Sequence, residues 1–180
     1  QDDIAAKVIA ETAQAVWRAP ENNMLRPLEV QLQDLLELSA PDDWPNSVQR
    51  HMTGAQHLAR DLLAHADAPC PLHGDLHHEN ILRADRGYVA IDAKGLFGDP
   101  VYDLANAFKN PLGCPKIYGD PTRIAQMAQT FAEITGFPIK RILGWAFANC
   151  AASIVWDGAS TDHPLHPQLA TLQSVYAQVP

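Results

Sequence analysis

Two carboxylates and a carboxamide stand out in the middle of the 180-residue sequence: Asp75, Asn80 and Asp92. Asp75 and Asn80 share a loop, and Asp92 falls where the second strand of an expected hairpin ends. A hairpin returns the chain to the end from which it left. Asn80 and Asp92, which flank it, can therefore converge, and Asp75 can face the same point. Phosphoryl transfer from a nucleotide needs this set of groups: a carboxylate to accept the proton of an acceptor hydroxyl, and an amide oxygen and a second carboxylate to hold Mg²⁺ against the phosphates. Mg²⁺ takes hard oxygen ligands and keeps several waters, so two protein ligands suffice.

The elements that must position these groups follow from pattern. Asp2 and Asp3 precede Ile4, Val8, Ile9, Ala13, Val16 and Trp17 at helical spacing, which predicts a capped helix to about Arg18. Prolines and asparagines between Arg18 and Pro27 predict a loop, and Leu28 to about Leu38 a second helix. Pro41 to Asn46 breaks the chain. Ser47 opens a long helix to about Ala66, with Val48, Met52, Ala55, Leu58 and Leu62 on one side. Pro69 to His73 is short and extended. Asn80–Leu82 and Tyr88–Asp92 read as strands joined by a turn at Ala84-Asp85-Arg86-Gly87, where Gly87 is free to take a positive φ. A glycine-bearing loop follows from Lys94 to Pro100. The remainder is helical: one helix from Pro100 or Val101 to before Pro111, one capped by Asp120 with Pro121 in its first turn, one from about Pro138 to Asp157, and one from about His166 to Ala177. The expectation is a single domain over residues 1–180, of α+β class but mainly α, with a small central β-hairpin.

Kinase catalytic loops read H-R-D-L-x-x-x-N. His73-Gly74-Asp75-Leu76-His77-His78-Glu79-Asn80 keeps that length, with His, Asp, Leu and Asn in the same places. Glycine replaces the arginine, and His77 stands where many protein kinases have a lysine. With LHGDLHHENIL followed by YVAIDAKGLFGDPVYDLANAF, the sequence resembles the aminoglycoside phosphotransferase superfamily. The double histidine, the IDAKGLFGDPVYDLA run and Arg141-Ile142-Leu143-Gly144-Trp145-Ala146 are most similar to its streptomycin 6-kinase and hydroxyurea phosphotransferase branch. The likeness extends loosely over the whole chain and is specific from Leu72 to Pro111.

This resemblance implies the C-terminal lobe of a protein-kinase-like fold. It implies ATP- and Mg²⁺-dependent transfer of the γ-phosphoryl group to a hydroxyl of a small molecule, with aminoglycosides such as streptomycin first and hydroxyurea-like acceptors second. Asp75 would be the catalytic base, and Asn80 and Asp92 the Mg²⁺ ligands. Asp103 would brace the catalytic loop, His73 would support it, and His77 would approach the transferred phosphate. Of the D-F-G metal-binding triplet, only Asp92 carries over, followed by Ala93 and Lys94.

Kinases of this type resemble two lobes with ATP between them, the smaller supplying a glycine-rich turn and a phosphate-pairing lysine. Before Gly74 the only glycine is Gly54, and before Asp75 the only lysine is Lys7, both in expected helices. The N-terminal lobe is therefore expected to be absent from these residues. The chain alone is expected to be inactive or nearly so, with an apolar cleft face suited to self-association. Trp145 and Trp156 lie three turns apart on one expected helix. Core packing accounts for both; alternatively Trp156 and Asp157, with Asp162 and Glu133, border the acceptor site of a polycationic sugar.

Composition constrains the other classes. A net charge of -8 argues against a nucleic-acid backbone as partner. Cys70, Cys114 and Cys150 are odd in number and far apart, so neither a disulfide framework nor a cysteine zinc site is expected, and a reducing, cytoplasmic setting is the default. The uncharged run Ile142–Trp156 is shorter than the roughly 20 residues of a membrane span, and no signal peptide is expected from these residues. Two alternatives stand beside the kinase reading. One is a zinc hydrolase using His73, Asp75, His77 and His78. The other is a non-catalytic module that keeps the fold.

Overall fold

The computed structural model describes residues 2–20, 24–66, 68–85 and 87–180. Helix α1 (Asp2–Trp17) buries Ala6, Ile9, Ala10 and Ala13 against the later helix α7 (Pro121–Thr135). Asp2 and Asp3, the expected caps, both lie inside the helix rather than ahead of it. The expected loop after Arg18 includes Asn22 and Asn23, which also lie outside them. Its last two residues form a strand instead, β1 (Arg26–Pro27). A proline is tolerated there because β1 is the edge of its sheet, where a missing N–H breaks no ladder.

The helix expected over 28–38 breaks at Leu32 (φ −93°, ψ 1°) into α2 (Leu28–Gln31) and α3 (Gln33–Glu37). The spacing of Leu28, Leu32 and Leu35 keeps all three buried across the break. Helix α4 (Asn46–Ala64) buries Val48, Met52, Ala55, Ala59 and Leu62.

Strand β2 (Cys70–Leu72) leads into the loop that carries Asp75. The hairpin that follows is β3 (Ile81–Ala84) and β4 (Gly87–Ala90), antiparallel with Ile81 opposite Ala90 and Ala84 opposite Gly87. Arg86 of the expected turn lies outside the described residues. The strands are shorter than expected at both site-bearing ends. Asn80 belongs to a 3₁₀ turn, His78–Asn80, and Asp92 sits beyond β4 with φ 61°.

The glycine-bearing loop expected over 94–100 contains a third partner, β5 (Leu96–Gly98). It runs antiparallel to β2 and parallel to β1, in the order β1-β5-β2. Gly98 permits this, since a Cβ there would stand 2.6 Å from Leu28 Cβ.

Helix α5 (Tyr102–Ala105) runs on as a 3₁₀ turn, Asn106–Lys109. Helix α6 (Pro115–Tyr118) has no counterpart in the expected elements. Asp120 caps α7 as expected, accepting from the Thr122 N–H at 2.9 Å. Helix α8 (Ile139–Trp156) is the axis of the fold: every residue from Ile142 to Ile154 is buried, against α3, α4, α5, α7 and α9 (His166–Gln178). Trp145 packs edge-on against Tyr102 and Phe108 against Phe131. A side chain of this size stabilises by about 1.5–3 kcal/mol when fully buried. No described helix is long and apolar enough to cross a membrane.

Asp99 is among the polar groups sealed into this core. Asp99, 1% exposed, accepts from the Val101 N–H at 3.0 Å, from Trp145 Nε1 at 2.6 Å, and from the Arg141 guanidinium. Arg141 also donates to the carbonyls of Leu62 and His65 at the end of α4. The ion pair thus joins α4, α8 and the segment entering α5.

Candidate active site

The catalytic-loop candidate is held from below by one buried carboxylate. Asp103, at the start of α5, accepts from the Gly74 N–H through Oδ1 at 2.8 Å. Its Oδ2 accepts from the His73 N–H at 3.0 Å and from Trp17 Nε1 at 3.1 Å. Burial pushes its pKa up, and the N–H donors of Gly74 and His73 oppose that shift by favouring the carboxylate. The turn also explains the glycine in place of the kinase arginine. Gly74 has φ 81°, and a Cβ there would lie 2.7 Å from Leu96 Cδ1.

His73 is buried, and both its ring nitrogens are engaged. Nδ1 accepts from the Asp75 N–H at 3.2 Å, which leaves Nε2–H to donate to the Ile91 carbonyl at 2.8 Å. That assignment makes His73 a neutral strut between the loop and the end of β4, with no nitrogen left for a metal. Among the described residues, no group of three His, Cys, Asp or Glu side chains is placed to hold a metal ion.

Residues 91–94 are stitched to the loop twice more. The Ile91 N–H donates to the Asn80 carbonyl at 2.9 Å, and the Lys94 N–H to the His73 carbonyl at 2.7 Å. These bonds bring Asp92 beside Asn80. The Asn80 amide nitrogen donates to the Asp75 carbonyl at 2.9 Å, so its oxygen is left free as a hard donor. Asp92 is exposed. An amide oxygen beside a solvent-facing carboxylate fits Mg²⁺ better than a softer ion.

Asp75 itself is partly exposed. Its Oδ1 accepts from Asn106 Nδ2 at 2.8 Å, and its Oδ2 is 3.5 Å from the Lys94 ammonium. That ammonium lies 5.6 Å from the centroid of Trp156, so the end of α8 comes near the candidate loop. Asp157 is exposed and pairs with His163 Nε2 at 3.1 Å. Among the other acidic residues named from sequence, Glu133 sits on α7 and accepts from Gln129, while Asp162 bonds Ser160. His77 is largely covered and stands edge-on to His78. Burial lowers its pKa, although Asp75 and Glu79 pull the other way.

Four contributors escape the sequence reading: Trp17, Lys94, Asn106 and Lys109. Asn106 had a signal, since Asp103-x-x-Asn106 places both residues on one side of a helical turn. Lys109, one turn further on, donates to Asn149 Oδ1 at 2.8 Å and to the Ser153 hydroxyl. Both partners are buried on α8, so the ammonium is sealed even where the aliphatic stem is not.

Burial lowers the Lys109 pKa to about 8 from an ordinary 10.5, against the pull of Asp75 and Asp157. Between those two values the unfolded chain binds more protons than the folded one, so stability rises with pH. The cost of burying the charge is fully present below pH 8 and is relieved as the pH climbs towards 10.5. Urea midpoints taken at intervals across that window should climb less steeply for Lys109→Met than for the parent protein. Identical slopes would show that Lys109 does not titrate there.

Comparisons with known proteins bear on the family and the fold. A family model described as aminoglycoside/hydroxyurea antibiotic resistance kinase matches residues 1–160. A streptomycin 3''-kinase of Klebsiella pneumoniae is 38% identical over 163 residues, which are 87% of this chain and 58% of that kinase. A streptomycin 6-kinase of Streptomyces glaucescens is 31% identical over 103 residues, 56% of this chain and 34% of that kinase. The chain thus spans little more than half the length of the first relative and about a third of the second.

Among solved structures, the choline kinase LicA from Streptococcus pneumoniae superposes with a TM-score of 0.62 at 16% identity, over 97% of this chain and 64% of that one. An aminoglycoside phosphotransferase from Alicyclobacillus acidocaldarius gives 0.58 at 14% identity, over 99% and 66%. These likenesses show the fold, a mainly α kinase-like lobe. The family model, matched over residues 1–160, shows that the chain belongs to the aminoglycoside/hydroxyurea antibiotic resistance kinases.

Proposed function

We propose that this chain is the metal- and acceptor-binding lobe of an ATP-dependent kinase that phosphorylates a hydroxyl of an aminoglycoside, with streptomycin the leading candidate. The observation that carries the reading is how the side chains of Asp75 and Asn80 are committed. The Asn80 nitrogen is spent on the Asp75 carbonyl, which turns the amide oxygen outward. Asn106 holds Asp75 Oδ1, which leaves Oδ2 for the hydroxyl proton.

Asn80 and Asp92 would hold Mg²⁺, which when bound neutralises phosphate charge. Asp75 orients the acceptor hydroxyl and takes its proton. Asp103 and His73 keep the loop in shape, and His77 approaches the transferred phosphate. Trp156 and Asp157 form the acceptor wall. The streptomycin kinases among the relatives support the acceptor class, and the choline kinase studied with AMP supports the nucleotide.

Within these residues, the one lysine ahead of Asp75 is Lys7, exposed on α1 and 3.7 Å from Glu11. The 180 residues by themselves are therefore expected to turn over slowly. Exposed Leu82, Tyr88 and Val89 on the hairpin give the isolated chain a surface for self-association.

Full-length protein incubated with MgATP should add the mass of one phosphoryl group to streptomycin, and the gain should vanish when Mg²⁺ is chelated. Failure to phosphorylate either streptomycin or hydroxyurea would overturn the reading.

A further inference from the structure

We infer that Lys94 is the internal occupant of a cation subsite, made by the Trp156 ring and the Asp75 carboxylate, from which an acceptor's ammonium or guanidinium group displaces it. The use of the pocket rests on the kinase reading above. The subsite is read from the contacts of one side chain.

The Lys94 ammonium is 5.6 Å from the Trp156 ring centroid and 3.5 Å from Asp75 Oδ2. A single cation therefore meets a π face and a carboxylate together, a combination that selects organic cations. The main chain of Lys94 is fixed. Its N–H bonds the His73 carbonyl, and it lies between two residues of positive φ, Asp92 (61°) and Gly95 (65°). Its side chain is not fixed in the same way. Lys94 is 42% exposed and Asp75 30%. An ion pair so open to water is weak, and an ammonium is readily rehydrated. A structural ion pair would be covered, as Asp99–Arg141 is. This one is built to part.

Its position matters for selectivity. Asn106 occupies Oδ1 of Asp75, so the oxygen beneath Lys94 is the one left for the acceptor's proton. A cationic acceptor that takes the place of Lys94 uncovers that oxygen and restores the charge balance in the same step. A neutral acceptor must either leave the lysine on the base or remove it without replacing its charge. The exchange thus favours acceptors that carry a cation beside the reacting hydroxyl.

The test is a cation titration that does not depend on turnover. Agmatine is added to full-length protein while the Trp156 indole N–H resonance, assigned by its loss in Trp156→Leu, is followed by NMR. In Lys94→Ala the resonance should respond at roughly five- to thirtyfold lower agmatine than in the parent, the size expected for losing one exposed ion pair and one cation–π contact. Calorimetric binding of streptomycin should tighten by a similar factor, and Lys94→Ala should gain little in a Trp156→Leu background. Unchanged or weaker agmatine binding in Lys94→Ala, or an equal gain without Trp156, would overturn the subsite. If agmatine behaves as described and streptomycin is neither bound nor phosphorylated, the subsite stands and the aminoglycoside reading falls.

Discussion

Asp75→Asn in the full-length protein is expected to lower kcat by about 10²–10⁴-fold while leaving the KM for MgATP near its parent value. The substitution keeps the shape of the side chain, and an asparagine oxygen can still accept from Asn106. It removes the basic lone pairs on the atom that faces the acceptor and the charge that attracts Lys94. Phosphoryl transfer goes through a loose transition state, so much of what a catalytic carboxylate supplies is orientation of the hydroxyl. Asp75→Ala, which removes orientation as well, should be the worse of the two. Steady-state kinetics on both variants separate the contributions. If Asp75→Asn keeps more than a tenth of kcat while Asp75→Ala does not, Asp75 positions the hydroxyl and another group takes the proton. If both keep it, Asp75 has no part in the reaction.

The candidate catalytic loop was legible because the proposed chemistry is written at fixed spacing over a few consecutive residues. His73, Asp75 and Asn80 stand at the positions the kinase loop requires, and the hairpin that carries Asp92 back to them is marked by Gly87 with φ 113°. Asp103 was visible through the resemblance alone, and the structure gives its physical basis in three N–H donors. What could not be read depends on contacts distant in sequence. Trp17 looks like one more apolar residue on α1 until its indole N–H reaches Asp103. Lys94 belongs to a loop by pattern and to Asp75 and Trp156 by geometry. The β1-β5-β2 sheet was missed because strands of two or three residues show no alternation. The helix expected from Leu28 to Leu38 was read as continuous because its apolar spacing survives the break at Leu32.

Asp99 and Arg141 were not singled out as a pair, and they support the second large prediction. Arg141→Met should destabilise the protein by about 3–5 kcal/mol, read as a fall in the urea midpoint at constant slope. The guanidinium is 20% exposed and its partner 1%, so the loss should fall toward the lower figure. Methionine replaces most of the volume of the stem, so cavity formation is the smaller cost. The larger one is a carboxylate left in the core beside Trp145 with no counter-charge, together with two carbonyls at the end of α4 that lose their donor. The double variant Asp99→Asn/Arg141→Met separates these effects. Asparagine offers one acceptor oxygen to donors that Asp99 meets on two, Val101 on Oδ1 and Trp145 on Oδ2, so one of these bonds is lost. No buried charge remains, however, so the double variant should still recover part of the loss. A single-variant loss below about 1 kcal/mol would place the pair with solvent-screened surface bridges. The consequences reach the site, because the Asp99 bond to the Val101 N–H sets the start of the segment that delivers Asp103 to the loop and Asn106 to Asp75. An Arg141→Met protein that is still folded at low temperature should therefore lose kcat before it loses MgATP binding.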